Sequence, residues 1–369
     1  MKMARRGLNI YKRKDGRWEG RYKNGYRADG KAKYSSVYGK SYSAVRTILN
    51  EKRAEAQKGI DCRISFTVGE LVEIWLSDLK NKVKESTYSN YCMKLRKHIL
   101  PNFARQKYST LTAEDLNAFI AEKIGSGLSE KYVADIIVLL KSAAKFGRRC
   151  YGYVNRIEYA AMPRSSKISE KKLLTKAEQS VLKETLLKYP DSSNVGILLS
   201  AATGIRIGEL CALKWSDIDL EKSVMTVKRT VQRISRTNTK GTQIIVSAPK
   251  SAASEREIPL PDFLVPLLNA NRSRGSDLIL SGSEKIIEPR TMQYRFKSIL
   301  KKADLPSVNF HSLRHMFATN CIELGFDVKT LSEILGHSSV QVTLNRYVHS
   351  SMERKRYCMK LFENDFFAV

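Results

Sequence analysis

The sequence predicts a multidomain α+β protein: a small N-terminal three-stranded sheet plus helix, a helical bundle, and a mainly helical domain with a small antiparallel sheet. The chain has 369 residues, which is long for one hydrophobic core, so two or three domains are expected. Glycine turns and β-prone aromatic residues are concentrated near the N-terminus, whereas apolar residues at helical spacing dominate the rest.

The composition favours a globular protein that binds a polyanion. Hydrophobic residues make up 42 % of the chain and charged residues 28 %, with a net charge of +28. Such a field attracts DNA, although ribosomal and membrane-surface proteins are also basic. No run of about 18 apolar residues could span a bilayer, and the N-terminus lacks the apolar segment of a secretory signal. We therefore expect a DNA-associated protein with no membrane partner.

The six cysteines are scattered along the chain and form no Cys-x-x-Cys pair. This pattern argues against a zinc finger and against a disulfide framework, and it indicates reduced thiols in the cytoplasm. Cys211 and Cys321 lie among apolar helical residues, so we interpret them as small core residues.

Residues 1–64 contain 18 Lys and Arg against 6 Asp and Glu, a net charge of +12. Strands are expected at residues 9–11, 18–22 and 36–38, with turns at Asp15-Gly16, Asn24-Gly25 and Asp29-Gly30 and a helix over 41–58. We expect one face of the sheet to enter a DNA groove with Arg17, Trp18, Arg21, Lys23 and Arg27. The alternative is a solvated basic sheet whose aromatic residues pack on the helix.

Residues 65–162 are predicted to form a bundle of four or five helices. Thr67 and Glu70 have the spacing of a capping box at the start of the first helix. Further helices are expected over 88–99, 113–124 and 131–150. The segment 163–172 is polar, basic and nearly free of apolar residues, so it is predicted to be a linker.

Residues 173–350 are predicted to form the mixed domain. Thr175 and Glu178 form a second capping box, and an apolar helix is expected over 195–202. Three short strands follow, at residues 224–229, 243–246 and 255–259. The remainder, from residue 262 onward, is mainly helical.

Two motifs have the spacing of a nucleotide-binding or a metal-binding site, but the residues within or beside them do not suit such a site. Gly25 to Lys31 has P-loop spacing, but Ala32 stands where a hydroxyl should bind Mg²⁺. His311 and His315 have the spacing of a helical zinc pair, but Arg314 lies between them and would repel a cation. We therefore expect no cofactor and no metal.

Four separate segments of 173–350 carry residues suited to phosphodiester chemistry. They are Thr203-Gly-x-Arg206-x-x-Glu209-Leu, then Pro249-Lys250 before Arg256-Glu-Ile-Pro-Leu, then His311-x-Leu-Arg314-His315, and finally Leu335-Gly-His337 leading to Tyr347. In this order and at these separations they resemble the tyrosine recombinases (integrases). The resemblance covers the third domain in detail and the first two in outline. The three-part layout is most similar to the integrases of phages and conjugative transposons.

The resemblance and the residue chemistry together predict the parts of the site. Arg206 and Arg314 would each present a rigid donor fork to one phosphate, and they neutralise charge as phosphorus becomes five-coordinate. The resemblance implies that Glu209 supports Arg206, while a surface salt bridge between the two is the alternative. Both descriptions can hold for Glu209.

Tyr347 is the predicted nucleophile, and neighbouring cations and an imidazole would activate its phenol. His311 is the predicted base, and His337 is expected to hydrogen-bond the phosphate. Lys250 would protonate the departing 5′-oxygen, with Lys240 as the competing hairpin lysine. His315 and His349 are expected to be structural, in packing or capping.

The resemblance implies an arm-type DNA-binding domain at 1–64, a core-site DNA-binding domain at 65–162 and a catalytic domain at 173–350. The expected function is site-specific recombination, which integrates or excises a mobile element through a 3′-phosphotyrosyl intermediate. We expect a homotetramer on double-stranded DNA that is cytoplasmic and nucleoid-associated, with an excisionase-type directionality factor and a DNA-bending protein as further partners.

Two other functions remain open from the sequence: a type IB topoisomerase-like enzyme that relaxes DNA, and a non-catalytic DNA-binding regulator on the same scaffold. The tail, residues 351–369, ends in apolar residues. It is expected to dock on a neighbouring protomer or to fold back on its own domain.

Overall fold

The computed structural model describes residues 9–26, 32–58, 66–152, 157, 160–163, 173–236, 241–248, 254–272, 277–281 and 284–347, with a few isolated positions after 351. The chain divides into two compact units whose main boundary lies between Ile168 and Ser169. Of the predicted linker, residues 164–172 lie outside the described part of the chain.

The first unit begins with the predicted three-stranded sheet and helix. The elements are β1 (Ile10–Lys12), β2 (Trp18–Tyr26), β3 (Ala32–Gly39) and α1 (Tyr42–Lys58). The strands pair antiparallel in the order β1-β2-β3. The turn predicted at Asn24-Gly25 is wrong, because both residues lie within β2, where the register shifts between Lys23 and Tyr26. The predicted Asp29-Gly30 turn lies outside the described residues.

Helix α1 packs closely on the sheet. Val45 and Leu49 are fully buried. A Cβ added to Gly20 of β2 would lie 2.7 Å from Val45 Cγ1, so this contact requires glycine.

The predicted helical bundle is confirmed in the same unit. Its helices are α2 (Val68–Leu79), α3 (Glu85–Lys94), α4 (Leu100–Phe103), α5 (Ala113–Gly125) and α6 (Glu130–Tyr151), with a π-helical turn between α3 and α4. The capping box at Thr67 is present, with Glu70 N–H donating to Thr67 Oγ1 at 3.2 Å and Thr67 N–H donating to the Glu70 carboxylate at 2.8 Å. The apolar stripe of α6, which includes Ile136 and Leu140, is fully buried in the bundle core.

The second unit is mainly helical with two small sheets. In chain order its elements are α7 (Lys176–Lys188), α8 (Ser192–Thr203), α9 (Ile207–Leu210), β4 (Ile218–Asp219), β5 (Val224–Val227), β6 (Thr230–Ser235), β7 (Thr242–Ser247), β8 (Arg256–Pro259), α10 (Leu264–Ala270), α11 (Pro289–Lys302), α12 (His311–Glu323), α13 (Val328–Leu335) and α14 (Val340–Tyr347). The capping box predicted at Thr175 is confirmed.

The described part of the second unit has five short strands in two sheets, where the sequence predicted three strands. β4, β5 and β8 form one antiparallel sheet, while β6 and β7 form a second, two-stranded sheet. Strands β4 and β6 were not predicted from the sequence. The buried residues of β6, Val231 and Ile234, are three apart and therefore lack the alternation that marks a strand.

Among the described helices, none combines the length and the apolar character that a membrane crossing requires.

Candidate active site

The C-terminal end of helix α13 is the centre of the site. Three consecutive backbone carbonyl oxygens there each accept a hydrogen bond from a different arginine: Ile334 from Arg256 Nε at 2.6 Å, Leu335 from Arg314 Nη2 at 2.7 Å, and Gly336 from Arg206 Nη2 at 2.8 Å. The last carbonyls of a helix have no partner in the next turn and carry partial negative charge, so they suit guanidinium donors. We call these three residues the α13 carbonyl end.

Gly336 makes this arrangement possible. It ends α13 in the left-handed conformation, with φ of 64°, which favours glycine. The glycine of the Leu-Gly-His motif therefore ends helix α13 and leaves its last carbonyls facing the arginines.

Arg314 is the most deeply buried arginine of the site. It projects from α12 with 2 % of its surface exposed, and its Nη1 donates to Gly204 O at 2.9 Å. Gly204 ends α8 with φ of +66°, and a Cβ there would lie 2.6 Å from Phe317 Cδ1. Burial and the positive charge of Arg206 lower the pKa of Arg314. Burying a cation beside another cation is unfavourable, and binding an anion between them relieves that cost.

Glu209 joins the other two arginines. Its carboxylate accepts from Arg206 Nη1 at 2.7 Å, from the Arg206 backbone N–H at 3.1 Å and from Arg256 Nη2 at 3.0 Å. Burial alone would raise the pKa of Glu209, but the charges of Arg256 and Arg206 outweigh it and hold the pKa below its ordinary value. Glu209 therefore fixes both guanidinium groups, and Arg206 keeps 35 % of its side chain exposed toward solvent.

Tyr347 ends α14, and only 8 % of its surface is exposed. Its hydroxyl oxygen lies 2.9 Å from Nδ1 of His315, within hydrogen-bond distance. The His337 ring is stacked parallel to the phenol, with 6.3 Å between centroids, and its Nδ1 lies 2.7 Å from Thr343 Oγ1. Two imidazoles therefore hold the phenol, one at its hydroxyl and one along its face.

His311 begins α12 and is exposed. Its ring packs edge to face against the His315 ring, with 4.7 Å between the ring centroids. The centroids of the His315 and Tyr347 rings are 5.5 Å apart. The phenol is close enough to Arg314 to affect the electrostatics of that guanidinium. We call His311, His315, Tyr347 and His337 the ring row, and it lies near Arg314.

The structure brings most of the predicted catalytic residues together. Arg206 and Arg314 meet at the α13 carbonyl end, Glu209 bonds Arg206, and His311, His337 and Tyr347 belong to the ring row. Lys250 and its competitor Lys240 lie outside the described residues, as does His349.

Three residues of the site received no such role from the sequence. Arg256 was only part of a motif, yet it binds Glu209 and the α13 carbonyl end. Thr343 was not considered, although its position four residues before Tyr347 puts both on one face of α14. His315 was expected to be structural; its spacing of four from His311 on α12 could have indicated that the two rings meet.

The residues predicted to enter a DNA groove fall on two sides of the N-terminal sheet. The Trp18 ring meets Tyr42 of α1 at 5.4 Å, whereas Arg21 and Lys23, at odd positions of β2, are exposed on the other face. The expectation of one shared face is wrong for Trp18, which packs on the helix as in the alternative. Arg17 is exposed in the turn before β2 and bonds Asp15, and Arg27 lies outside the described residues.

Comparisons with known proteins agree with this geometry. The pattern of the "Phage integrase family" matches residues 170–354, half of the chain, which include every residue of the α13 carbonyl end and the ring row. The pattern of the "Phage integrase, N-terminal SAM-like domain" matches residues 67–124, within the helical bundle.

Individual proteins resemble the chain over most of its length. A tyrosine recombinase XerC-like protein of Caldanaerobacter subterraneus subsp. tengcongensis is 26 % identical, over 92 % of this chain and 93 % of its own. A solved structure of the Tn1549 transposon integrase with a circular intermediate DNA is 20 % identical, covers 81 % of this chain and all of its own, and has a TM-score of 0.63. A lambda integrase tetramer bound to a Holliday junction is 19 % identical, covers 93 % and 98 %, and has a TM-score of 0.57. At this identity the two structures speak for the fold alone.

Proposed function

The chain belongs to the phage integrase family of tyrosine recombinases, and from this premise we propose how its site acts on DNA. The proposed reaction is the cutting and rejoining of double-stranded DNA at a specific sequence, through a 3′-phosphotyrosyl intermediate. The observation that carries the proposal is the anchoring of three arginines at the α13 carbonyl end beside a Tyr347 hydroxyl that bonds an imidazole.

The scissile phosphate binds to Arg206 and Arg314. Both guanidinium groups already donate to backbone carbonyls, so their planes are fixed before substrate arrives. Fixed donors stabilise the charge of the five-coordinate phosphorus without reorganising during the reaction. His337, held by Thr343, adds a hydrogen bond to the phosphate.

Tyr347 attacks phosphorus, and the 5′-oxygen leaves with a proton from Lys250. The phenol proton passes to an imidazole, and His311 and His315 are both candidates because their rings touch on α12. The phosphotyrosyl bond keeps the energy of the phosphodiester, so rejoining needs no ATP. Among the described residues there is no cluster of His, Cys, Asp and Glu that could hold a metal ion.

A cleft of about 830 Å³ beside Arg206 offers room for the DNA backbone next to the scissile phosphate. It is lined by β6 and by residues 289–297 of α11, including Gln232, Arg290 and Lys297. The basic face of the N-terminal sheet, with Arg21 and Lys23, is proposed to bind arm-type sites, and residues 65–162 core sites.

Recombination of two duplexes requires several protomers, and we propose a homotetramer. The lambda integrase tetramer on a Holliday junction supports this by its shared fold. An enzyme of this kind works on chromosomal DNA, so the proposal includes association with the nucleoid, and a directionality factor and a DNA-bending protein as partners.

The C-terminal tail is proposed to contribute to assembly. Most of residues 351–369 lies outside the described part, but Met352, Met359 and Phe362 are described and are more than half exposed. Apolar surface of this kind favours a docking role. Deletion of 351–369 should abolish assembly on DNA; unchanged assembly and strand exchange would refute docking.

The other two functions are less well supported. A topoisomerase-like enzyme would relax plasmid DNA without a specific site, whereas a relative that matches over most of the chain is named a recombinase. A regulator that only binds DNA has no use for a fixed nucleophile beside buried arginines.

The decisive experiment offers a nicked "suicide" duplex of the recombination site to the wild type and to Tyr347→Phe. A covalent adduct through the 3′-phosphate is expected with the wild type alone. An equal adduct with both proteins would refute the proposed nucleophile, and plasmid relaxation without a specific site would favour the topoisomerase.

A further inference from the structure

The hydrogen bond between Tyr347 and His315 offers a direct route for a proton out of the phenol. His315 Nδ1 and Tyr347 Oη are 2.9 Å apart, and both residues are buried, with 4 % and 8 % of their surfaces exposed. A proton can pass between two heavy atoms at this distance without an intervening water.

The position of His315 is set by its surroundings. It lies on α12 directly after Arg314, which the α13 carbonyl end and Gly204 hold by both ends of its guanidinium. His311 borders the ring on one side and Tyr347 on the other. The imidazole therefore has little freedom to turn away from the hydroxyl.

The other two imidazoles are placed differently. Nδ1 of His337 is engaged with Thr343, and its ring lies along the face of the phenol. His311 is exposed at the start of α12, where it suits contact with DNA. His315, by contrast, has its Nδ1 at hydrogen-bond distance from Oη in this geometry.

We infer that His315, rather than His311, accepts the proton of Tyr347 during DNA cleavage. The inference rests on the proposed function, since it concerns the same attack on phosphorus. As the Oη–P bond forms and the P–O5′ bond breaks, the Oη proton moves to His315 Nδ1, and the leaving 5′-oxygen receives a separate proton from Lys250. Rejoining reverses both transfers.

The test compares His315→Asn with the matched variant His311→Asn. Asparagine can place a hydrogen-bonding atom near the position of Nδ1, but it cannot take a proton near neutral pH. The readout is the single-turnover rate of adduct formation on the suicide duplex, measured across pH. Thermal melting and DNA affinity of the full chain report whether each variant remains folded.

His315→Asn is expected to lower the adduct rate by about 100-fold or more, the usual contribution of a general base. It should also remove the rise in rate with pH that an imidazole base produces. His311→Asn should keep that rise. His311 and Tyr347 contact the His315 ring, His337 and Cys321 lie near Tyr347, and Arg206, Glu209 and Arg256 act electrostatically on the adjacent Arg314.

A second readout separates proton transfer from positioning. Fluorination of the Tyr347 ring makes the phenol more acidic, so a base matters less. If His315 takes the proton, fluorination should recover part of the rate lost in His315→Asn. If His315 only positions the Tyr347 ring, His315→Asn should lower the adduct rate by the same factor with the natural and the fluorinated tyrosine. That result would overturn the inference.

The outcomes remain distinguishable from failure of the proposed function. Absence of adduct with the wild type, or adduct with Tyr347→Phe, would refute the function itself. A wild-type adduct that His315→Asn forms at an unchanged or higher rate would leave the function intact and overturn only the role of His315.

Discussion

The arginines of the second unit and those of the N-terminal sheet show two ways of presenting positive charge. Arg314 has 2 % of its surface exposed, Arg256 has 6 % of its side chain exposed, and both are bonded to backbone carbonyls. Arg17 has 62 % of its side chain exposed, and Arg21 rests on the Tyr34 ring at 4.9 Å. Both groups suit phosphate, yet only the first is buried and bonded to backbone carbonyls.

The difference indicates what each group contributes. A buried, fixed donor acts on the transition state because it needs no reorganisation, and its loss appears in the rate. An exposed, mobile donor contributes mainly to affinity, and salt weakens it. We therefore expect catalysis and the attraction of DNA to depend on different arginines of this very basic chain.

The sharpest test of this contrast is Arg314→Gln. We expect the adduct rate on the suicide duplex to fall by at least about 100-fold, because a fixed donor to the transition state is lost. Arg314→Lys should stay impaired, since an ammonium group cannot reproduce the planar fork. The matched control is Arg272→Gln, which removes an exposed arginine after α10. Near-normal rates for Arg314→Gln would break the contrast.

Glu209→Gln tests whether the buried network also supports stability. Removing the carboxylate leaves Arg206 and Arg256 without their counter-charge. We therefore expect the free energy of unfolding, measured in urea, to fall by about 3 kcal/mol. The adduct rate should fall with it.

The pH dependence of this loss follows from the pKa of Glu209, which the charges of Arg256 and Arg206 hold below 4.5 despite burial. Glu209 contributes its full stabilisation at pH values above its pKa in the unfolded chain. This contribution is lost as the pH falls through its lower pKa in the folded protein. The difference between wild type and Glu209→Gln should therefore shrink in acid. A difference that stays constant down to strongly acidic pH would contradict the network.

Gly20→Ala perturbs the other region through packing. The new Cβ would lie 2.7 Å from Cγ1 of Val45, which is fully buried and β-branched. We expect the N-terminal sheet to lose about 1–3 kcal/mol of stability, measured by its thermal unfolding. Gly125→Ala is the matched control, with nothing within 4 Å of its Cβ. Adduct formation on a short core-site duplex should be unchanged by either variant.

Arg21→Gln should have the smallest effect. If Arg21 contacts a phosphate, the slope of log affinity against log salt should decrease by about one, with a modest loss of affinity for arm-site DNA. Arg46→Gln, on the exposed side of α1, should leave the slope unchanged. Equal slopes for Arg21→Gln and the wild type would argue against the sheet face as a DNA surface.

The sequence predicted the elements with strong local signals. The capping boxes at Thr67 and Thr175, the helices of the bundle and the N-terminal sheet are all present. It missed β6, whose buried residues do not alternate, and it misjudged Asn24-Gly25 because a bulge within a strand uses the same residues as a turn.

The site was predictable in its residue types but not in its contacts. Motifs identified Arg206, Arg314 and Tyr347 as residues of one site. The partnership of Arg256 with Glu209 spans 47 positions, and that of His315 with Tyr347 spans 32. Such pairs depend on how helices pack, which no local spacing encodes.

The α13 carbonyl end has a consequence for how this enzyme can change. Because Ile334, Leu335 and Gly336 each hold a different arginine, a shift of one helix end displaces all three donors together. Substitutions at Arg206, Arg256 and Arg314 should therefore be strongly epistatic, with double variants costing less than the sum of the single ones. Evolution can vary the DNA sequence that the protein recognises elsewhere on its surface, but it must keep or lose this helix end as a whole.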